Sequence, residues 1–600
     1  MLSKKTLAAF LAAALLLVTA GFGQTLEQNW NDFLHYTAIG RLDLAKAYAQ
    51  VILQSNPDPV QLLALSKDNP EGYAILLKVR ESASDAELVA LSGKVLAIIE
   101  RGQFVRRSDP KIIVEEIKRL SSTERGKLMA TARLKNAGEY AIPYMLDAMA
   151  DPARAEELPN IVEALPQIGL PAVRPLAAGL QTENVQVEAE IIKALGKIAY
   201  PQSLGYLKYV IEKSDSPEMR QLAAESIKQI DPAAIAAPAA QLLFQLAEAY
   251  YDHSQSLAPA EDANFANIWF WDSAQQRLAR QEVDKSYFHE LMAMRCCEWS
   301  LKADEGFGWA IGLWLAAFFK AEATSVEMPA YFGDRHAGAL VYATTAGPEY
   351  LHQALARAVK DKNPDVALGA VEALAITAGE KSLYYTIGPV QPLLQALSFD
   401  DRAVRYSAAI AIAAAGPQER FAESTLVVKN LAEALGQSTQ QVSPPPADTP
   451  RWSQELAGNY SLRAAEVMLK LAQTRNPAID LSGAQVALMN ATQTKRPEIQ
   501  ILAGQVLAHL VSPNAQRTIA TMALDAGNDP NVRIAAFDSL GMSAKLHANM
   551  LPDNIISQIY ALISSDQTEP DLRAAAAAAY GALNLPSRKV KDLILDQAKS

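Results

Sequence analysis

Along the chain, apolar and small residues return at helical spacing. One ten-residue pattern recurs: a β-branched or aliphatic residue, often Arg, then small residues on every turn and an aliphatic near the end. It reads VRYSAAIAIA at Val404–Ala413, VRIAAFDSLG at Val532–Gly541 and LRAAAAAAYG at Leu572–Gly581. MRQLAAESIK from Met219, VALGAVEALA from Val366 and IQILAGQVLA from Ile499 follow the same plan, and VEAEIIKALG from Val187 is a looser copy. In one copy the fixed positions are Val532, Ala536, Ser539 and Leu540, which fall at i, i+4, i+7 and i+8 on one face of an α-helix. Steps between neighbouring copies are 32, 38, 33 and 40 residues, a period that marks stacked helical units.

The segment ends carry their own signals. Proline stands two places before five of the copies, at Pro217, Pro364, Pro497, Pro530 and Pro570. It suits the first turn of a helix, where a missing N–H costs no intrahelical bond. Ser216, Asn363 and Asp529 directly precede three of these prolines and are predicted N-caps. Gly541 and Gly581 lie near the other end without fixing the stop. A second apolar helix is predicted upstream of the copies, as at Val390–Ala396 and Ile556–Ile563.

Composition agrees with a large helical protein. Of 600 residues, 50% are hydrophobic and 20% charged, too apolar for a disordered chain. Length alone allows about four domains, whereas the repeats allow one quasi-linear core. Abundant alanine favours helix and lets neighbouring helices approach closely. The net charge of −11 argues against nucleic acid as a partner, because neutralising phosphates needs an excess of Lys and Arg. At the N-terminus, Lys4 and Lys5 precede an apolar stretch, Leu7–Val18, followed by Ala20, Gly21 and Gly23. That pattern reads as a signal peptide over 1–23, cleaved near residues 20–23, and predicts an exported, periplasmic or secreted protein. No later stretch is long and apolar enough to span a bilayer, so no integral membrane segment is expected after cleavage. The longest, Gly308–Phe319, reads as a buried helix.

An acidic or proline-containing turn, then Val-Arg, two small residues and an aliphatic, resembles the HEAT-repeat family in a form found in exported bacterial proteins. The resemblance covers roughly 140–235, 346–435 and 455–600. It implies an all-α fold: an α-solenoid, a right-handed superhelix, of HEAT-like helical hairpins. Arg220, Arg405, Arg533 and Arg573 occupy the family's arginine position, where by resemblance the side chain ties one repeat to the turn of its neighbour. Val187, Val366 and Ile499 are followed instead by Glu188, Ala367 and Gln500, and depart from the family there. A second resemblance, to tetratricopeptide repeats, rests on Tyr36, Gly40, Ala45 and Pro57. It rests also on Leu243, Leu246, Ala247 and Tyr250, and on the stretch from Cys296 that leads into Trp309.

These readings divide the chain into a leader (1–23), an N-terminal helical region with a tetratricopeptide-like unit (24–125) and HEAT-like repeats (126–235). A Trp-rich, tetratricopeptide-like helical module (236–345) follows, then HEAT-like repeats (346–438), a Pro-rich linker (439–453) and HEAT-like repeats (454–600).

No catalytic, metal or cofactor constellation emerges. HExxH, Walker A, GxGxxG and GxSxG are absent from the sequence, and the seven histidines are scattered. Adjacent Cys296 and Cys297 close only a strained ring and are expected as small buried side chains on a helix. Asp400 and Asp401 read as a solvated turn, and Arg101, Arg106 and Arg107 as a small basic cluster in a loop. Trp269 and Trp271 stand two apart; in an extended segment they share a face and form the one candidate ligand platform, set against a role as core. The expectation is an exported scaffold that binds a protein or peptide partner on a concave face. The alternatives are a carbohydrate- or small-ligand-binding module, or an enzyme of the kind suggested by the similar repeats of phycobilin lyases.

Overall fold

In the computed structural model, residues 24–82, 85–260, 265–329, 332, 337–383, 385–437, 452–588, 590, 591 and 595 are described. The leader and the Pro-rich stretch at Ser443–Pro450 lie outside them. The chain forms two compact units, Met1–Gly306 with Val326–Gly333, and Phe307–Ser325 with Asp334–Ser600. Each is built of helices stacked in pairs, an α-solenoid architecture.

The first unit opens with the tetratricopeptide-like pair, Leu26–Ala38 and Leu42–Gln54. Gly40 turns the chain between them at φ +72°, a left-handed conformation that glycine takes without steric cost. Ala45 is fully buried, and Tyr36 stacks on Tyr48 at 5.5 Å. Trp30, Phe33 and Ile52 belong to a core that extends to Ile99. A second core runs from Ile113 to Ala234. Within it the repeat helices Val185–Ile198 and Pro217–Ile230 pack side by side. Ser216 caps the second of these through the Met219 N–H, with Pro217 in the first turn, as predicted.

The stretch 236–345 departs from an all-helical module. Helices Ala239–Tyr251 and Phe288–Ala303 do pack on each other. Between them the chain forms an antiparallel hairpin, β1 (Phe265–Asp272) and β2 (Arg277–Asp284), the only sheet among the described residues. Its turn is organised by Asp272, whose Oδ1 accepts from the Ala274 and Gln275 N–H groups. Gln276 takes φ +51° there, so the turn carries neither the glycine nor the asparagine that marks most hairpins. Ala266 to Trp269 are all buried, and no in–out alternation reveals the strand.

In the second unit, helix Trp309–Glu322 is buried along most of its length, as its apolar sequence predicts, although Trp309 itself is exposed. Helices Gln454–Thr474, Pro497–Leu507, Pro530–His547 and Pro570–Ala582 pack successively against one another, so repeat copies form one row. Ala503, Ala536 and Ala576 are fully buried. Asn363 and Asp529 cap their helices as predicted; each such cap stabilises its helix by about 0.5–2 kcal/mol. The upstream helices are present as Pro392–Ala396 and Asp553–Ser564. Helix Pro530–His547 continues through Gly541. Among the described residues, no helix is long and apolar enough to cross a membrane.

Candidate functional site

A buried polar assembly of the first unit fastens the hairpin to the repeat helices. Glu139 sits in a 3-10 turn, Gly138–Ala141, and is buried. Its Oε1 accepts from Asn267 Nδ2 at 2.6 Å and its Oε2 from Trp269 Nε1 at 2.8 Å. The Arg174 guanidinium stands 3.6 Å from Oε2. Asn267 also donates to the Tyr140 hydroxyl at 2.7 Å. A buried carboxylate is tolerable only when its lone pairs are bonded and its charge is countered; here β1 supplies two donors and helix Val173–Gly179 supplies the cation. With both oxygens engaged, Glu139 acts as a fastening between the hairpin and the repeat helices.

Aromatic and guanidinium groups surround this carboxylate. Phe104 meets Tyr140 and Phe265 edge-on, each at 5.1 Å. The Arg107 and Arg280 guanidinium carbons lie 5.6 and 5.0 Å from the Tyr140 ring centroid. Burial raises the Tyr140 phenol above its ordinary pKa, and the Glu139 charge adds to that. Arg295 donates to the Trp269 carbonyl at 3.2 Å and covers the Phe270 ring at 4.0 Å. Buried Glu290 pairs with His253 Nε2 at 2.5 Å. Beside β2 a cavity of about 350 Å³ opens, with Pro110, Tyr144, Asp147, Arg277, Leu278 and Arg280 in its walls. Desolvation raises the Asp147 carboxyl above the usual carboxylate range, and the Arg277 charge opposes that shift.

Trp269 and Trp271 share a face, as their spacing in an extended segment predicts, and both pack against the second core. Trp269 is 5% exposed with its indole N–H committed to Glu139, so its ring is core and offers no open face to a sugar. Trp271 is partly buried against the same core. Glu139, Asn267 and Arg174, which complete the assembly, escaped sequence reasoning. Asn267 carried one usable signal, since it stands two residues before Trp269 and shares its face in any extended segment.

All four repeat arginines reach back within their own repeat, and only Arg405 also makes the tie to a neighbour that the family resemblance implies. Arg220 donates to Ser214 O, Arg405 to Phe399 O and Asp400 O, Arg533 to Ala523 O, and Arg573 to Ser565 O and Thr568 O. Every one of these carbonyls belongs to the end of the preceding helix or the turn after it, within the same repeat. The last carbonyls of a helix have no intrahelical donor and carry the negative end of its dipole, so a guanidinium one turn into the next helix satisfies both. Arg405 alone of the four also reaches the following helix, through Glu433 at 3.4 Å. Gln500, one of the departures, is 5% exposed and donates to Thr492 O, in the same way as the arginines. It also donates to Asn528 Oδ1, in the turn of the next repeat. At Gln500 a residue that breaks the motif thus makes a repeat-to-repeat bond.

Other sequence expectations resolve locally. Asp401 caps helix Arg402–Ala415, in the turn expected for it. Arg101, Arg106 and Arg107 lie on helix Ala86–Ser108, which corrects the loop reading; the helix runs on to the Asp109 cap of the next one. Cys296 and Cys297 are buried on helix Phe288–Ala303, and burial pushes the Cys296 thiol up to about 12. Among the described residues, no group of three or more His, Cys, Asp or Glu side chains is placed to hold a metal ion.

Residues 142–228 and 173–250 match the family model of HEAT repeats. No curated protein matches the chain. Among solved structures, an engineered protein is similar at 16% identity, over 79% of this chain and 99% of that one, with a TM-score of 0.27. Kap95p, in a structure on its switching of RanGDP loops, is similar at 14% identity over 96% of this chain and 69% of that one, with a TM-score of 0.26. Importin beta is similar at 11% identity over 100% and 89%, with a TM-score of 0.23.

Proposed function

We propose that this HEAT-repeat protein is an exported, non-catalytic scaffold that binds protein or peptide partners along its stacked helices. The observation that carries the reading is internal: the helices of the first unit already hold an extended segment, the chain's own hairpin, through Glu139, Arg174 and Tyr140. A surface that grips one extended strand by side-chain acceptors and aromatic edges is chemically suited to others. Repeat architecture supports the same role, because each repeat contacts only its neighbours and the exposed faces vary without disturbing a single core. The basic and apolar segments of 1–23 support export, and periplasmic or secreted location follows from them as part of the proposal.

The test is gentle crosslinking of the mature protein in its native exported fraction, with fractionation of the tagged full-length chain alongside. The expected result is defined crosslinked species and a signal outside the cytoplasm. A protein that stays uncrosslinked at all spacer lengths defeats the scaffold reading, and one that remains cytoplasmic defeats the export reading.

A further inference from the structure

Glu188 stands at the repeat position that Arg220 holds one repeat later, and it does none of the work done there. Arg220 bonds Ser214 O, at the end of its preceding helix. At the corresponding place before Glu188, the Gln181 side chain serves the Ala178 carbonyl at 3.3 Å. Asn184 caps helix Val185–Ile198 through the Gln186 and Val187 N–H groups, so the first turn does not need Glu188 either. Among the described residues the Glu188 carboxylate has neither a hydrogen bond nor an ion pair. The residue is half-buried, and desolvation raises its carboxyl above the ordinary carboxylate range with no opposing charge.

Glu188 lines a cavity of about 320 Å³, within the size range of ligand pockets. Helix Phe288–Ala303 forms one side by laying Trp299 on helix Leu204–Lys213, where the ring meets Tyr206 and Tyr209 edge-on at 5.5 and 5.1 Å. Leu180 and Val210 add apolar wall. The lining carries charge of both signs, Glu188 against Lys213 and Lys302. Lys302 is held over the Trp299 ring, its Nζ 4.9 Å from the centroid. Lys213 is exposed and has no hydrogen bond or ion pair among the described residues. One lining thus presents an unpaired carboxylate, an unpaired ammonium and an apolar wall.

We propose that this cavity binds a small zwitterion with an aromatic body, of the class of the aromatic amino acids. The ligand's ammonium meets Glu188, its carboxylate meets Lys213, and its ring lies against Tyr209, Leu180 and Val210. Charge-assisted hydrogen bonds hold and orient the two ends. A ligand of one sign serves one of the two partners and leaves the other unpaired in a partly desolvated wall. The site goes beyond the scaffold reading and needs no partner chain.

The test is titration calorimetry on the full-length protein with three probes: L-phenylalanine, hydrocinnamate, which lacks the ammonium, and phenethylamine, which lacks the carboxylate. L-Phenylalanine is expected to bind about tenfold more tightly than either, because each analogue loses one charge-assisted contact. Glu188→Gln is expected to erase the preference over hydrocinnamate and to keep the preference over phenethylamine. Lys213→Met is expected to do the reverse. Neither side chain is bonded in the protein, so both variants should keep the parent's circular dichroism and melting transition. No heat from L-phenylalanine at about millimolar concentration, equal binding by a singly charged probe, or unchanged preferences in the two variants overturns the proposal. Crosslinking to partners is a separate readout, so this site and the scaffold reading fail independently.

Discussion

Trp269 and Trp271 stand two residues apart on one face of β1, yet replacing each by phenylalanine is expected to have opposite consequences. Trp269→Phe keeps an aromatic ring in the core but deletes the 2.8 Å bond to Glu139 Oε2, leaving that oxygen with Arg174 at 3.6 Å. A hydrogen bond to a charged group contributes about 1.5–3 kcal/mol, and a buried acceptor left short of donors keeps its desolvation cost. Trp271 differs in that its indole nitrogen is buried with no hydrogen-bond partner among the described residues. Trp271→Phe removes an unpaired donor, a gain that offsets the smaller ring. The effect is local, so the assay is hydrogen exchange by mass spectrometry on peptides spanning 265–284. At about 1.4 kcal/mol per factor of ten, Trp269→Phe should speed hairpin exchange roughly ten- to hundredfold. Trp271→Phe should stay within about threefold of the parent protein. Equal acceleration by both variants, or none by Trp269→Phe, would refute the fastening role of the indole N–H.

Three further outcomes follow from particular contacts. Arg533→Ala strips the Ala523 carbonyl of its guanidinium donor; the loss of about 1 kcal/mol should lower the melting transition of the second unit by roughly 2–4 °C in calorimetry. Gly93→Ala and Gly196→Ala should differ in sign when thermal stability is compared. A Cβ at 93 meets nothing within 4 Å, and helix interiors favour alanine by about 0.5–1 kcal/mol. At 196, by contrast, a Cβ falls 2.6 Å from Ser226 Oγ and 2.9 Å from its Cα, which costs about 1–3 kcal/mol. His352 is fully buried, donates through Nε2 to Ser382 O at 2.7 Å, and is held below its ordinary pKa of 6.5 by burial. Below pH 6.5 the unfolded chain takes up a proton that the folded one refuses. Its stabilisation is therefore present above pH 6.5 and lost as pH falls through the lower folded value. Denaturant titrations at pH 7.5 and 5.5 should show that loss shrink in His352→Phe; an unchanged pH dependence would remove His352 from the account.

Legibility followed the distance over which each interaction acts. The Ser216, Asn363 and Asp529 caps bond groups two or three residues away, so the sequence beside each helix was enough. Buried Ala503, Ala536 and Ala576 were visible as small positions on a face that repeats every few tens of residues. The carbonyls that the repeat arginines bond were not legible: a side chain that reaches back five to ten residues finds whichever carbonyl the turn presents. The hairpin was hidden because β1 is buried on both faces and its turn uses Gln276 at positive φ.

The sequence by itself determined that this chain builds stacked helical pairs, where those helices begin, and which faces they bury. Helix periodicity, proline in the first turn and N-capping are local chemistry, and each repeat restates them. Only the tertiary structure decided what the middle of the chain does. Glu139 meets Asn267 and Trp269 across 128 and 130 residues. No local pattern encodes which buried carboxylate will receive which donors, because that depends on how the intervening repeats stack.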